Sequence, residues 1–124
     1  MGQPVIHFEV TGKDGDNLVR YYSELFGWEI DANNHLGYGI VEREGNTNSE
    51  GVGIGGGVAA APDGSEGLVT FYVEVPYVEV TLARAETLGG SRLFGPAPVP
   101  GTDLVIGQFA DPEGHVIGLR QEPV

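Results

Sequence analysis

The sequence predicts an α+β fold built from two tandem βαβββ modules, residues 1–60 and 67–124, joined by a linker at 60–67 and forming a cup of curved sheet. Three observations carry this. A segment of period-two alternation opens each half, a stretch of helical period follows it, and the same order of elements then runs again. Sliding the chain on itself by 63 residues sets Phe8 on Phe71, Val10 on Val73, Leu25 on Leu88, Gly27 on Gly90, Gly51 on Gly114, Ile54 on Ile117 and Gly55 on Gly118. These matches fall at strand cores, helix ends and turns, where a duplicated unit has least freedom to vary.

The first alternating stretch, VIHFEV at residues 5–10, puts Ile6, Phe8 and Val10 toward a packed layer and Val5, His7 and Glu9 on the opposite, polar face. The turn GKDGD leads into NLVRYYSELFG, where Leu18, Tyr22, Leu25 and Phe26 share one side at helical spacing. Asp16 is the expected N-cap and Gly27 the expected stop, because a carboxylate accepts from orphan amide groups and glycine enters the left-handed region without strain. Strands are expected at 28–31, 36–44 and 52–59, between the turn-rich ANNH and GNTNSEG. AAPDGSEG is a linker by composition. Beyond it LVTFYVEV alternates again, and VEVTLARAETLGG carries Leu82, Ala85 and Leu88 on one helical face before a double glycine stops it. Strands near 92–94, 104–110 and 115–121 complete the second module, with the stiff GPAPVPG loop between the first two.

At 124 residues the chain is a single domain with room for one core. It has no cysteine, which excludes disulfides and thiolate metal sites. The opening MGQPVIHF has no basic region ahead of an apolar stretch, and nowhere do about 18 apolar residues run together. A soluble, cytoplasmic protein is expected, with no membrane partner. A formal charge of -12 repels phosphate backbones and anionic lipid, so nucleic acid is not expected as a partner; the same field would draw in a cationic small molecule, set against the plainer reading of a surface that is merely soluble. The formal G-x-G-x-x-G match at residues 51–56 lacks a following helix N-terminus to receive a pyrophosphate, so its glycines are read as clearing space on a strand face.

With these elements in place, HFEV and RYYSELFGWE in the first half, and FYVEV, ARAETLGG and FADPEGHVIGL in the second, resemble the vicinal oxygen chelate superfamily. That group includes glyoxalase I, extradiol dioxygenases and the fosfomycin- and bleomycin-resistance proteins. The resemblance implies four inward positions for metal ligands, two per module. Here they fall on His7, Gly55, Thr70 and Gly118. Glycine has no donor and threonine is a poor one, so the resemblance implies a member without the metal tetrad, and no cofactor is expected. It also implies a homodimer.

Alternation places Glu9 on the face of His7, and Tyr72 and Glu74 on the face of Thr70. His7, Glu9 and Glu74 are the members of a substitute metal set, set against the plainer reading of a polar pocket wall. His7 and Glu9, with Cα atoms roughly 7 Å apart on one strand, are also candidate catalytic residues for proton transfer. The ligand-binding candidates are His7, Glu9, Trp28, Tyr72, Glu74 and Arg120: charge from the glutamates, stacking from the aromatic rings, orientation from His7 and Arg120. Tyr38 is assigned to core or interface, His115 to a turn or to packing and not to a ligand set, and His35 to a polar loop. Three functional readings stay open: a metal-independent small-molecule binder similar to the bleomycin-resistance proteins and sequestering a cationic or aromatic antibiotic, a glyoxalase-like lyase or isomerase using His7 and Glu9, and a regulatory or interaction module with a vestigial cup.

Overall fold

The computed structural model describes residues 2–34 and 36–123, so His35 lies outside the described residues. The elements run β1 (Val5–Gly12), α1 (Gly15–Phe26), β2 (Ile30–Asp31), β3 (Gly39–Val41), β4 (Gly55–Ala60), β5 (Val69–Val75), α2 (Val78–Thr87), β6 (Ser91–Pro98), β7 (Val105–Ala110) and β8 (Val116–Gln121). This is βαβββ twice over. Two compact units result, one of residues 7–69, the other of the N-terminal residues up to Ile6 together with those from Thr70 onward. The N-terminus joins the second unit through the Glu74 amide, which donates to the Pro4 carbonyl at 2.9 Å.

In the first unit β1 runs parallel to β4, β4 antiparallel to β3, and β3 antiparallel to β2. The register opposes His7 to Gly55, Phe8 to Gly56 and Glu9 to Gly57. Val41 and Val58 are fully buried on the helix side of this sheet. Helix α1 approaches β4 closely, since a Cβ at Gly15 would run into the Ala60 backbone. Its N-cap is Asp14, not Asp16: the Asp14 carboxylate accepts from the Asn17 amide at 3.0 Å, and Asp16 falls inside the first turn beside the positive end of the helix dipole. Gly27 ends the helix in the left-handed region at φ 72°. Asp14→Ala should cost about 1 kcal/mol, read as a lowered melting temperature.

The second unit repeats the plan, with β5 parallel to β8, then β7 and β6 antiparallel in turn. Val75, Val78, Leu82 and Leu119 form its core, with Val73, Val105 and Phe109 packed against them. Helix α2 can settle on β7 because position 107 is glycine: a Cβ there would lie 2.7 Å from Val78 Cγ1 and 3.1 Å from Leu82 Cδ1. The start of α2 has no side-chain cap of its own, and Gln121 Oε1 instead accepts from the Val78 amide at 3.0 Å. Leu88, expected on the packed face, lies beyond the last helical residue and is exposed.

The turn before β8 is set by Asp111. Its Oδ1 accepts from the amides of Glu113 and His115, both at 2.9 Å, and Gly114 takes φ 90°. The His115 amide foremost holds the Asp111 carboxyl below the usual carboxylate range. His115, read as a turn or packing residue, is exposed in the turn, with Nδ1 3.0 Å from Asp111 Oδ2. The GPAPVPG segment departs from expectation, because residues 95–98 extend β6 instead of forming a loop. The prolines are tolerated there because β6 has β7 as its one neighbour in this unit, and the register shifts twice along the pair.

Candidate functional site

The polar face of the first unit gathers around Tyr38. The strand β4 meets β1 on that face with Gly55 and Gly57, and a Cβ on Gly57 would overlap the Tyr38 phenol. The glycine-rich stretch therefore clears room for an aromatic ring. Tyr38 Oη donates to Glu9 Oε1 at 2.9 Å and lies 2.9 Å from His7 Nε2. A phenol has one proton to give, so with that proton directed to the carboxylate, the bond to the imidazole has Nε2–H as donor. All three side chains are half-buried.

The ring is held in place from the loop before β3. Asn34 Oδ1 accepts from the Tyr38 amide at 3.1 Å, and Asn34 Nδ2 donates to the Tyr38 carbonyl at 2.7 Å, so one side-chain amide grips both sides of the residue. Gly37, at φ 64°, turns the chain into that grip. Sequence reasoning missed both Tyr38 and Asn34 as site residues. The available signal was the pairing of a cleared strand face, Gly55 and Gly57, with an aromatic residue one hairpin away.

Along the same face Ile40 opposes Gly57 and Asp31 opposes Ile40. At this outer edge lies a cavity of about 620 Å³ whose lining includes Glu29, Asp31, Glu42 and Glu44.

In the second unit the polar face carries Thr70, Tyr72 and Glu74 on β5 with Gly118 and Arg120 on β8. Glu74 and Arg120 are register partners, and Arg120 Nη2 donates to Glu74 Oε2 at 2.8 Å. The Glu74 charge is thus met within the protein, which corrects its expected part as a free attractor of cations. Tyr72 opposes Gly118, and a Cβ on Gly118 would lie 2.6 Å from the Tyr72 ring. With 7 % of its surface exposed, Tyr72 is a core residue over a glycine, not an open stacking wall. The repeat frame set Thr70 as the counterpart of His7, yet the residue facing the last-strand glycine is Tyr72, two positions further on.

Trp28 is placed away from the polar face of its own unit. Its ring stacks on Tyr22 at a centroid distance of 5.7 Å, and lies 5.0 Å from Phe26 and 5.2 Å from Phe8. Phe8 points to the side of β1 opposite His7 and Glu9, so the expected grouping of Trp28 with those residues does not occur. The cause is Gly27, whose left-handed turn folds the chain back against the last turn of α1 before β2 begins at Ile30. The same packing leaves α1 shallow: none of its residues is fully buried, and Leu25 and Phe26 are 56 % and 58 % exposed.

The donors present do not fit the metal centre that the fold implies. Gly55 has no donor, and a Cβ there would come within 2.8 Å of the Val41 carbonyl oxygen. Gly118 has none, and its side-chain space is filled by Tyr72. Thr70 is buried, with its hydroxyl given to the Val116 carbonyl at 2.7 Å. His7 is the one strong ligand type among the four positions. Among the described residues, no group of three or more His, Asp or Glu side chains is placed to hold an ion. No helix is long and apolar enough to cross a membrane.

Comparison with known proteins agrees with this architecture. No curated protein matches the chain by sequence. Among solved structures, methylmalonyl-CoA epimerase of Streptomyces coelicolor in complex with 2-nitronate-propionyl-CoA superposes with a TM-score of 0.59 at 17 % identity, covering 98 % of this chain and 99 % of that one. Methylmalonyl-CoA epimerase from Mycobacterium tuberculosis gives 0.62 at 14 % identity, over 97 % and 88 % of the two chains. A Legionella pneumophila structure titled NAD-dependent benzaldehyde dehydrogenase gives 0.64 at 11 %, over 94 % and 98 %. Identities this low establish a shared fold and no shared chemistry. The model of the glyoxalase-like domain matches residues 7–119, nearly the whole chain, and the protein therefore belongs to the glyoxalase-like domain family, within the vicinal oxygen chelate superfamily.

Proposed function

We propose that this chain is a metal-independent small-molecule-binding protein whose ligand is an organic cation. One observation carries the proposal: three of the four positions that the family resemblance gives to metal ligands are here two glycines whose side-chain space is occupied and a buried threonine engaged with the backbone. A positive charge on the ligand is supported by the four carboxylates around the 620 Å³ cavity and by the formal charge of -12. The volume lies in the range that accepts a drug-sized molecule.

Elemental analysis of untagged protein, soaked in turn in zinc, nickel, manganese and iron, should find below about a tenth of an equivalent of each. Near one equivalent, lost on His7→Ala, overturns the proposal. Binding is read from Trp28, the single tryptophan, whose neighbours Gly27 and Glu29 line the cavity. A planar aromatic cation should quench its fluorescence, more weakly at high salt and in Glu42→Gln/Glu44→Gln protein.

A second reading, a metal-free lyase or isomerase, is favoured by the hydrogen-bonded chain from His7 through Tyr38 to Glu9. An imidazole and a carboxylate joined in this way are suited to move a proton.

A further inference from the structure

Resting on that second reading, we infer that Tyr38 is a proton relay that makes His7 and Glu9 one acid–base unit. The phenol lies 2.9 Å from each partner and is the residue that spans them. Its placement is built into the chain twice, by the Asn34 amide that grips its backbone and by the absence of a Cβ at Gly57 beneath its ring. A tyrosine needed only for packing would not require its hydroxyl aimed at a carboxylate on one side and an imidazole nitrogen on the other.

The transfer balances without a co-reactant. With a proton on Glu9, the Glu9 O–H donates to the phenol oxygen and the phenol O–H donates to His7 Nε2. Moving one proton along the chain breaks the Glu9 O–H and the original Tyr38 O–H bonds, and forms a new Tyr38 O–H and a His7 Nε2–H bond. Tyr38 ends neutral, as it began. Glu9 becomes the carboxylate and His7 the imidazolium, and in this second state the phenol donates to Glu9 across the 2.9 Å contact. A proton taken from a ligand by Glu9 is thereby stored on His7, and Glu9 is ready to accept again.

Among the described residues of this unit, Glu9 and Tyr38 are the titratable groups joined to His7 in one hydrogen-bonded chain. Glu9 shares its strand, Tyr38 precedes β3, and the register partner on β4 is Gly55; Asp31 and Glu42 stand further out, at β2 and just beyond β3. The experiment follows the ring nitrogens of His7 by NMR on histidine-labelled full-length protein without ligand, with His7→Ala to assign the signal. Glu9→Gln should lower the His7 titration midpoint by about one pH unit in the otherwise native chain, the size of a charge-assisted hydrogen bond transmitted through the phenol. In the Tyr38→Phe background the same substitution should move it by less than about a third as much.

Gly57→Ala displaces the ring without removing it and should give the reduced coupling of Tyr38→Phe. Equal shifts in all backgrounds would mean that His7 and Glu9 sense each other through space, and would overturn the relay. Intact coupling in a protein that turns over no substrate would remove the enzyme reading and leave the relay standing, so the two failures are distinguishable.

Discussion

Leu82→Ala is expected to lower the stability of the chain by about 2–5 kcal/mol, read from the urea midpoint or the melting temperature. Leu82 is 0 % exposed and sits with Val75, Val78 and Leu119 at the centre of the second unit. The helix carrying it rests on Gly107, so the position directly beneath it has no side chain to move into the space left behind, and Val105 and Phe109 are already packed against this cluster. Partial collapse is thus poor at this site, and the cavity contribution adds to the lost transfer free energy. Against a typical total stability of about 5–15 kcal/mol, the loss is enough to depopulate the native state at moderate temperature. Leu82→Met, close to the original volume, should cost less than about 1.5 kcal/mol, and a similar loss in both variants would contradict the packing described.

Gly118→Glu, which writes a family ligand type back into the last strand, is expected to destabilise the protein by about 1–3 kcal/mol rather than restore a function. A Cβ at this position meets the Tyr72 ring at 2.6 Å, and that ring is itself buried. Gly118→Ala should carry much of the same cost, because the overlap begins at the first carbon. In Tyr72→Ala protein the penalty of Gly118→Ala should largely vanish, a coupling that a double-mutant cycle measures directly. Additive effects would mean that Tyr72 is not what keeps this position a glycine.

Much of the architecture could be read from alternation and punctuation. Period two alone puts Thr70, Tyr72 and Glu74 on one face of β5, and the register opposes Tyr72 to Gly118 and Glu74 to Arg120. Gly27 stops α1 as expected because only glycine takes φ 72° without strain. Partners across strands were less legible. Alternation gives a residue its face and leaves its neighbour across the ladder undetermined, and it is the fold that sets Tyr72, not the repeat position Thr70, opposite Gly118. Tyr38 escaped for a related reason: the loop between β2 and β3 decides which residue arrives over Gly57, and that decision rests on the Asn34 side chain and not on periodicity. Trp28 was misplaced because a left-handed turn at Gly27 redirects the chain where a continuous strand was expected.

The irregularity of β6 has a bearing on how the protein behaves at high concentration. Outer strands expose amide and carbonyl groups that can recruit a strand from another molecule, the first step of fibril growth. Here β6 carries prolines at 96 and 98, which present no amide hydrogen, and its two register shifts break the flat ladder that an incoming strand would copy. At the outer side of the other unit, β2 is two residues long and ends in Asp31. A chain so rich in strand can therefore stay dispersed: its outer margins are poor templates for its own kind.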